Sequence, residues 1–311
     1  MDRQQAYAKL DSLKQNIRSV FVGADRVVEH LLVGLLAGGH VLIQDVPGVG
    51  KTTLARALAR SIDCEFRRIQ FTPDLLPSDV IGVSVYEPDT RAFRFIEGPL
   101  FAHVVLADEI NRTPPRTQSA LLEAMSERQV SVDGETRGLD APFIVLATMN
   151  PLEYHGTYEL PESQMDRFLL RLDIGYPDRA GERRIFREQK AAHPLSALEA
   201  VIDAEEVVGL QALTGETRVD EGLEDYVLSI VAATRAHPEI LLGASPRATL
   251  ALFRAAQARA FLSGRDYVIP DDIKEMTAPV LAHRLGTRAQ GGDAAAFSVV
   301  EDVLAGVEVP V

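Results

Sequence analysis

The stretch "IQDVPGVGKTTLARALAR", residues 43–60, decides the fold prediction. A short apolar run leads into a glycine-containing loop, and a helical pattern follows at once. This order is typical of a phosphate-binding loop with the pattern G-x-x-x-x-G-K-[ST]. Gly50, Lys51 and Thr52 match its second half, whereas Asp45 stands at the position of the first glycine. The stretch therefore raises the question of whether Asp45 disables the site.

A phosphate-binding loop acts through its backbone, because its N–H groups and the positive end of the following helix point at the phosphate. We predict that Lys51 reaches the β- and γ-phosphates and that Thr52 offers its hydroxyl to Mg²⁺. Asp45 lies before the curl of the loop, so it is compatible with binding if its carboxylate points away from the phosphates. The predicted phosphate-binding residues are Gly48, Val49, Gly50, Lys51, Thr52 and Thr53.

Two further apolar runs end in polar residues suited to phosphoryl transfer. Within residues 103–112, "HVVLADEINR", the apolar run ends in Asp108 and Glu109. Such a reaction needs a carboxylate for Mg²⁺ and a base that orients water, roles that we predict for Asp108 and Glu109 respectively. Residues 143–151, "FIVLATMNP", end in Asn150, whose amide would hold the water against Glu109. The alternative is that Asn150 only bonds to its own backbone at a turn.

Two arginines are candidates for the positive charge that hydrolysis needs near the γ-phosphate. Arg167 lies on a short predicted helix before a strand in "LPESQMDRFLLR". Arg247 lies just inside a helix that begins with Ser245 as its N-cap and Pro246 in its first turn. From spacing alone, each is equally compatible with an ordinary surface or salt-bridge arginine.

The alternation of strands and helices predicts an α/β domain with three layers. Four runs, "HVLIQD", "EFRRIQF", "AHVVLAD" and "FIVLATMN", are interpreted as parallel strands buried on both faces. Two predicted hairpins interrupt this pattern at 84–101 and 129–139, with turns at residues 88–89 and 133–134. The chain becomes mostly helical after residues 175–182, so we predict an α/β core at 1–176 and a helical domain at 177–311.

Composition narrows the classes of function. The 311 residues are 46% hydrophobic and 25% charged, as in a globular protein with a sizeable core. The net charge of −13 argues against a general nucleic-acid binder. Cys64, the single cysteine, excludes an internal disulfide and a zinc knuckle. We expect no membrane insertion and a cytoplasmic location, because no apolar run spans a bilayer and the polar N-terminus lacks a signal-peptide centre.

The sequence resembles the MoxR family of AAA+ ATPases from about residue 22 to the C-terminus. The most discriminating stretch is "DEINR…P…TQSALLEAM" within residues 101–134, and it is more specific than the phosphate loop. The other stretches that carry the resemblance are "DVPGVGKTTLARALA", "FIVLATMNPLEYHGTYELPESQMDRF", "ASPRATLALFRAAQARAFL", "YVIPDDI" and "VLAHRL".

The resemblance implies a five-stranded parallel core followed by a helical lid. It also implies binding of ATP or ADP with Mg²⁺, a ring of six subunits, and chaperone-like maturation or activation of client proteins. Family members often act with a separate partner that carries a von Willebrand factor A (VWA) domain. The two predicted hairpins are similar to those that mark the AAA+ branch shared with magnesium chelatase and the MCM helicases.

The resemblance also assigns roles at matching positions. Asn150 corresponds to the sensor-1 residue, and Arg247 to the sensor-2 arginine that contacts the bound nucleotide from the lid. Arg167 corresponds to the finger that reaches the ATP of a neighbouring subunit, while Val22 and Gly23 lie where the adenine pocket is lined. Some MoxR relatives carry the same wording "DVPGVGKT", so a functional site is expected despite the aspartate.

Three alternatives to an oligomeric ATPase remain at this point. A P-loop enzyme of the small-molecule kinase type would work as a closed monomer and need a phosphoryl acceptor. A nucleic-acid-dependent AAA+ motor would show turnover stimulated by nucleic acid, although the net charge of −13 argues against it. A nucleotide-gated scaffold would bind ATP and barely hydrolyse it, against which the intact Glu109 argues only weakly.

Overall fold

The computed structural model describes residues 1–46, 48–149, 157–188, 194–288 and 292–310. Short 3₁₀ helices lie at Ile110–Arg112, Pro194–Ala197 and Ala282–Arg284. The α-helices of the described residues are α1 (Arg3–Val20), α2 (Asp25–Leu36), α3 (Lys51–Ser61), α4 (Pro77–Ile81), α5 (Pro115–Glu127), α6 (Glu162–Met165), α7 (Arg179–Glu188), α8 (Ala204–Gly215), α9 (Glu221–Ala236), α10 (Pro246–Leu262), α11 (Pro270–Leu281) and α12 (Gly292–Gly306).

In the described ranges, the strands form one central sheet and three two-stranded ribbons. They are β1 (Val41–Gln44), β2 (Phe66–Gln70), β3 (Gly82–Glu87), β4 (Ala92–Glu97), β5 (Val104–Asp108), β6 (Gln129–Val132), β7 (Glu135–Gly138), β8 (Ile144–Met149), β9 (Leu170–Leu172), β10 (Ile240–Leu242) and β11 (Gly286–Thr287).

The central sheet has the order β2-β5-β8-β1-β9, and every pair in it is parallel. Because the strands are parallel, their carboxyl ends meet at one edge, where ligands of open α/β sheets bind. The loop after β1 therefore shares an edge with the ends of β8, β5 and β2. This confirms the predicted α/β fold with a parallel core.

Alternate side chains of the strands point to opposite faces of the sheet, so each face packs on a different hydrophobic cluster. Val41 and Ile43 belong to the cluster shared with α1, α2, α3 and the helices after residue 204. Leu42 belongs to the cluster that includes α5 residues and the fully buried Phe168. The sheet thus lies between two layers of helices, as the three-layer prediction required.

One strand prediction was wrong in its burial. Strand β2 was expected to be buried on both faces, yet Arg67, Arg68 and Gln70 are exposed. The reason is its place at the edge of the sheet, where it pairs only with β5. The polar side chains at its end are consequently able to reach the neighbouring strand.

Both predicted hairpins are present. Strands β3 and β4 pair in antiparallel register from Gly82↔Glu97 to Glu87↔Ala92, so the turn comprises residues 88–91. Strands β6 and β7 are joined by Asp133 and Gly134, which have φ values of 53° and 81°. Positive φ at both central residues is what a tight type I′ hairpin requires.

The N-terminal segment forms helix α1, with Asp2 and Gln5 in a capping box at its start. Its buried face repeats at helical spacing: Ala6, Leu10, Leu13, Ile17 and Val20. Ion pairs join it to the helical region after residue 204, with Lys9 Nζ 3.0 Å from Glu206 and Arg3 Nη1 3.0 Å from Asp266. Helix α1 therefore connects α2 and α3 to the C-terminal helices.

Among the helices in the described ranges, none combines the length and apolar character needed to cross a bilayer.

Candidate nucleotide-binding site

The phosphate loop connects the end of β1 to the start of α3. Gly48 and Gly50 adopt φ values of 86° and 99°, a region that residues with a side chain rarely occupy. Gly50 is the N-cap of α3, and no side chain caps that end of the helix. The first N–H groups of α3 consequently point at the position where an anion would bind. Pro47 lies outside the described residues.

Lys51 lies within the pocket formed by this loop and the strand ends. Its Nζ donates a hydrogen bond of 2.5 Å to the backbone oxygen of Asp45. Burial lowers the pKa of the Lys51 amino group, and the carboxylates of Asp45, Asp108 and Glu109 act in the opposite direction. The amino group thus lies beside the loop, where a bound phosphate would compete with the Asp45 oxygen for its hydrogen bond.

Asp45 is buried, and its carboxylate faces away from the loop. Oδ2 accepts hydrogen bonds of 2.7 Å from the N–H groups of Ile174 and Gly175, while Oδ1 accepts one of 2.7 Å from Val46. Oδ2 is thus turned to the segment after β9, and both carboxylate oxygens are held by backbone N–H groups. This geometry meets the condition set by the sequence for a working site.

Asp108 ends β5 on the same edge of the sheet. Its Oδ1 accepts a 2.5 Å hydrogen bond from the Thr148 hydroxyl, and its Oδ2 pairs with Arg68 at 2.6 Å. The carboxylate lines the same pocket as Thr52. A carboxylate and a hydroxyl are oxygen donors of the kind that Mg²⁺ accepts together with substrate phosphates. The oxygen donors of these two residues therefore fit a magnesium ion, and Arg68 is the cation that pairs with Asp108 in this structure.

Glu109 adopts the left-handed conformation, with φ 60° and ψ 50°. Such a conformation is uncommon for a residue with a side chain and tends to occur at functional sites. The Glu109 N–H donates to Thr148 Oγ1 at 2.8 Å, which holds the backbone in place. Its carboxylate accepts a 2.8 Å hydrogen bond from Gln70 Nε2 and lies 3.5 Å from Arg112 Nε. Glu109 is therefore oriented toward the end of β2.

Sequence reasoning missed Arg68, Gln70 and Thr148. Their signal was weak, since each is a polar residue near the carboxyl end of a strand. The sheet order gives them their importance, because Gln70 is paired in register with Asp108 on adjacent strands. Arg68 and Gln70 line the pocket that also contains Gly48, Gly50, Lys51, Thr52, Thr53, Asp108 and Glu109.

Replacing Gln70 by alanine is expected to raise basal ATP turnover, because Glu109 then becomes available to a water molecule. A hydrogen bond to a charged group contributes about 1.5–3 kcal/mol, and about 1.4 kcal/mol corresponds to tenfold in rate, so we expect about a tenfold rise. Phosphate release measured without a partner protein tests this. Gln129→Ala in the exposed start of β6 is the control, and a fall in turnover of Gln70→Ala would contradict the prediction.

Val22 and Gly23 line a second pocket beside the end of α1, together with Asp178 and Gly181. The ring of Phe21 lies between this pocket and the phosphate loop, in contact range of both Gly23 and Gly50. An adenine held here would be next to phosphates in the loop. The placement is compatible with the predicted role of Val22 and Gly23, which stays a prediction.

Arg167 and Arg247 meet in a third pocket, which none of the loop residues 48–53 lines. Arg167 Nη1 donates to Leu122 O and to Ser126 Oγ, both at 2.7 Å. Arg247 lies in the first turn of α10, where Ser245 Oγ accepts the Ala248 N–H at 3.1 Å. The resemblance implies that Arg247 contacts the bound nucleotide from the lid, which stays a prediction, and the structure places Arg247 in the same pocket as Arg167. Asn150 lies outside the described residues.

A buried ionic network holds these two arginines in one unit. Asp166, which precedes Arg167, accepts 2.9 Å hydrogen bonds from Ser245 Oγ at the start of α10 and from Arg284 Nε. Burial lowers the pKa of Arg284 to about 10, and Asp166 opposes that change. Breaking such a pair is costly because it leaves a buried charge unpaired. The end of α6 and the start of α10 are therefore fixed to each other.

Comparison with known proteins agrees with this architecture. Residues 40–170 match the model of the ATPase family associated with various cellular activities (AAA), and residues 232–303 match the AAA lid domain. A crystal structure from Cytophaga hutchinsonii, described as a candidate ATPase, superposes with a TM-score of 0.91 at 37% sequence identity. The match covers 99% of this chain and 97% of that one.

Two curated relatives extend over most of the chain. The Bacillus subtilis protein YeaC is 49% identical over 99% of this chain and 97% of its own length. Chaperone MoxR1 of Mycobacterium tuberculosis is 44% identical over 86% of this chain and 73% of its own length. Together with the phosphate loop, the acidic strand end and the lid, these matches show that the chain belongs to the MoxR family of AAA+ ATPases.

Proposed function

We propose that this protein hydrolyses ATP in a Mg²⁺-dependent manner at sites that are completed between neighbouring subunits, and that it uses this activity to remodel or activate client proteins. The observation that carries the proposal is the separation of the two pockets. The phosphate pocket and the pocket of Arg167 and Arg247 have no lining residue in common. Among the described residues that line the phosphate pocket, Arg68 is the one arginine. A second subunit would supply Arg167 and Arg247.

Within one chain, Lys51 and the first N–H groups of α3 hold the β- and γ-phosphates. Thr52 and Asp108 would hold Mg²⁺, which supplies positive charge to the phosphate oxygens. To hold the ion, Asp108 would turn its carboxylate from Arg68. Glu109 orients and deprotonates the attacking water after its carboxylate leaves Gln70. Adenine would lie in the pocket of Val22 and Gly23, and Asn150 keeps its predicted role of holding the water.

Across the interface, Arg167 acts as the finger and Arg247 accompanies it. The ring form expected for the family has six subunits. In this scheme Arg167 leaves Leu122 O and Ser126 Oγ to reach the γ-phosphate of the neighbour. Because Asp166 ties the end of α6 to the start of α10, Arg167 and Arg247 would move together when the subunit shifts relative to the adjacent nucleotide. With a core at 1–176 and a lid at 177–311, as we propose, this tie joins the core to the lid.

The hairpin of β3 and β4 is the proposed client contact. Large apolar side chains are exposed on it, and Phe93 has 72% of its surface accessible. Val83 and Ile96 face each other across the strands, as do Tyr86 and Phe93. Exposed apolar surface of this kind marks interaction sites in folded proteins. A separate VWA-domain protein would present the client, and the second hairpin at 129–139 is a further contact candidate.

The experiment for this proposal measures ATP turnover per subunit against protein concentration, with the molecular mass determined on the same samples. We expect turnover to rise with assembly, because a monomer lacks the arginines beside its phosphate pocket. The dependence on Mg²⁺ is measured in parallel by titrating EDTA. A self-contained monomer would give a constant rate per subunit at all concentrations, which would contradict the proposal and favour the small-molecule kinase alternative.

A further inference from the structure

Asp45 is the residue of the phosphate loop that departs from the usual pattern, and its contacts explain the departure. Its backbone oxygen accepts Lys51 Nζ at 2.5 Å, and its N–H donates to Met149 O on β8. Its carboxylate accepts the N–H groups of Ile174 and Gly175 at 2.7 Å. One residue thus contacts the phosphate-binding lysine, the neighbouring strand and the segment that leaves the sheet.

That segment, residues 173–178, connects β9 to α7 and is called the linker here. Gly175 turns it with φ 70°. The Ile174 N–H is buried, and leaving a buried N–H without a hydrogen-bond acceptor costs free energy. The Asp45 carboxylate supplies that acceptor in place of a backbone carbonyl. A glycine at position 45, as the usual loop pattern has it, would offer no side-chain acceptor for these groups.

We propose that Asp45 is a positioning residue of the nucleotide site, which holds the linker against the phosphate loop so that the two change position together. The structural reason is that the loop entry and the linker are bridged by one short, charged side chain. When a phosphate binds the Lys51 amino group, the backbone oxygen of Asp45 loses its hydrogen bond from Lys51. The carboxylate of the same residue forms the tether to the linker, so the change at the loop would reach the linker. This second step rests on the proposed nucleotide binding, whereas the tether itself does not.

The usual motif of a phosphate loop favours glycine at position 45, whereas the tether to the linker favours aspartate. Asp45→Gly would restore the usual loop pattern, yet it should loosen the linker. Asp45→Ala should do the same, because both variants remove the acceptor of two neighbouring N–H groups. Asp45→Asn keeps one oxygen but turns its NH₂ group toward a backbone donor, so an intermediate effect is expected.

Hydrogen exchange followed by mass spectrometry on the full chain, first without nucleotide, tests the tether. We expect the peptide that covers residues 172–178 to exchange at least tenfold faster in Asp45→Ala and Asp45→Gly than in the unmodified protein. Asp173→Asn is the matched control, because it removes a linker carboxylate that pairs with Arg171 instead, and its linker exchange should stay within twofold. Unchanged linker exchange in Asp45→Ala, or an equal rise in α12 and the linker, would overturn the proposal.

The same samples with saturating ADP and Mg²⁺ test the coupling. We expect ADP to change linker exchange at least threefold in the unmodified protein and less than 1.5-fold in Asp45→Ala, while calorimetry confirms that both bind ADP. Equal responses in the two proteins, or no response in an unmodified protein that binds ADP, would overturn the coupling. An unmodified protein that binds no nucleotide would contradict the proposed function, and the nucleotide-free comparison would still decide on the tether.

Discussion

Replacing Arg167 by alanine is expected to lower ATP turnover per subunit by about 10³–10⁵-fold, the contribution that an arginine finger makes to phosphoryl transfer. The reason is electrostatic, because charge that develops on the γ-phosphate in the transition state loses its partner. ATP affinity should change much less, since Lys51 and the helix N-terminus remain in the same chain. Steady-state turnover and calorimetric binding of ATP to the variant measure the two quantities separately.

A mixing experiment shows whether Arg167 acts on a neighbour. The Lys51→Ala variant lacks a working phosphate pocket but keeps its finger, and Arg167→Ala has the opposite defect. Each alone should be inactive, whereas a mixture should regain turnover at interfaces that combine an intact pocket with an intact finger. The control is Arg254→Ala, which removes one positive charge from the pocket of Arg167 and Arg247 and should lose far less activity. A mixture as inactive as its components would count against a finger in trans.

Replacing Glu109 by glutamine is expected to slow hydrolysis by about 10²–10⁴-fold, the usual contribution of a general base, while ATP still binds. Glutamine has the same shape, and Gln70 Nε2 can still donate to its amide oxygen. The amide cannot take a proton from water, however, so chemistry becomes the slow step. Single-turnover hydrolysis together with ATP affinity measures this combination.

The control for that variant is Glu123→Gln, an isosteric change at an exposed position of α5. It should leave both hydrolysis and affinity unchanged. If Glu109→Gln turned over ATP at the normal rate, Glu109 would not be the base. A variant that lost ATP binding as well would show that the carboxylate organises the pocket and would contradict its assignment to the chemical step alone.

The fold class was predictable because its signals are local. A loop that curls around phosphate needs glycines at short range, and both φ values at Gly48 and Gly50 agree with that need. The hairpin at Asp133 and Gly134 was predictable for the same reason. Asp108 and Glu109 could be predicted as site residues because a buried strand that ends in two carboxylates stands out from its apolar neighbours.

The sequence could not reveal which polar strand ends become neighbours. Gln70 meets Glu109 only because β2 pairs with β5 at the edge of the sheet, although β3 and β4 separate these two strands along the chain. The place of Arg247 likewise depended on packing, since Ser245 and Arg284 converge on Asp166 from distant segments.

Asp45 shows most clearly what the sequence determines and what depends on the tertiary structure. The sequence by itself determined that a carboxylate stands where a phosphate loop usually has glycine, and that the remaining loop residues are intact. Only the tertiary structure decided that this carboxylate turns to Ile174 and Gly175, about 130 residues further along the chain. The physical reason is that local patterns depend on backbone conformation at short range, whereas the partner of a side chain depends on the order in which strands pack.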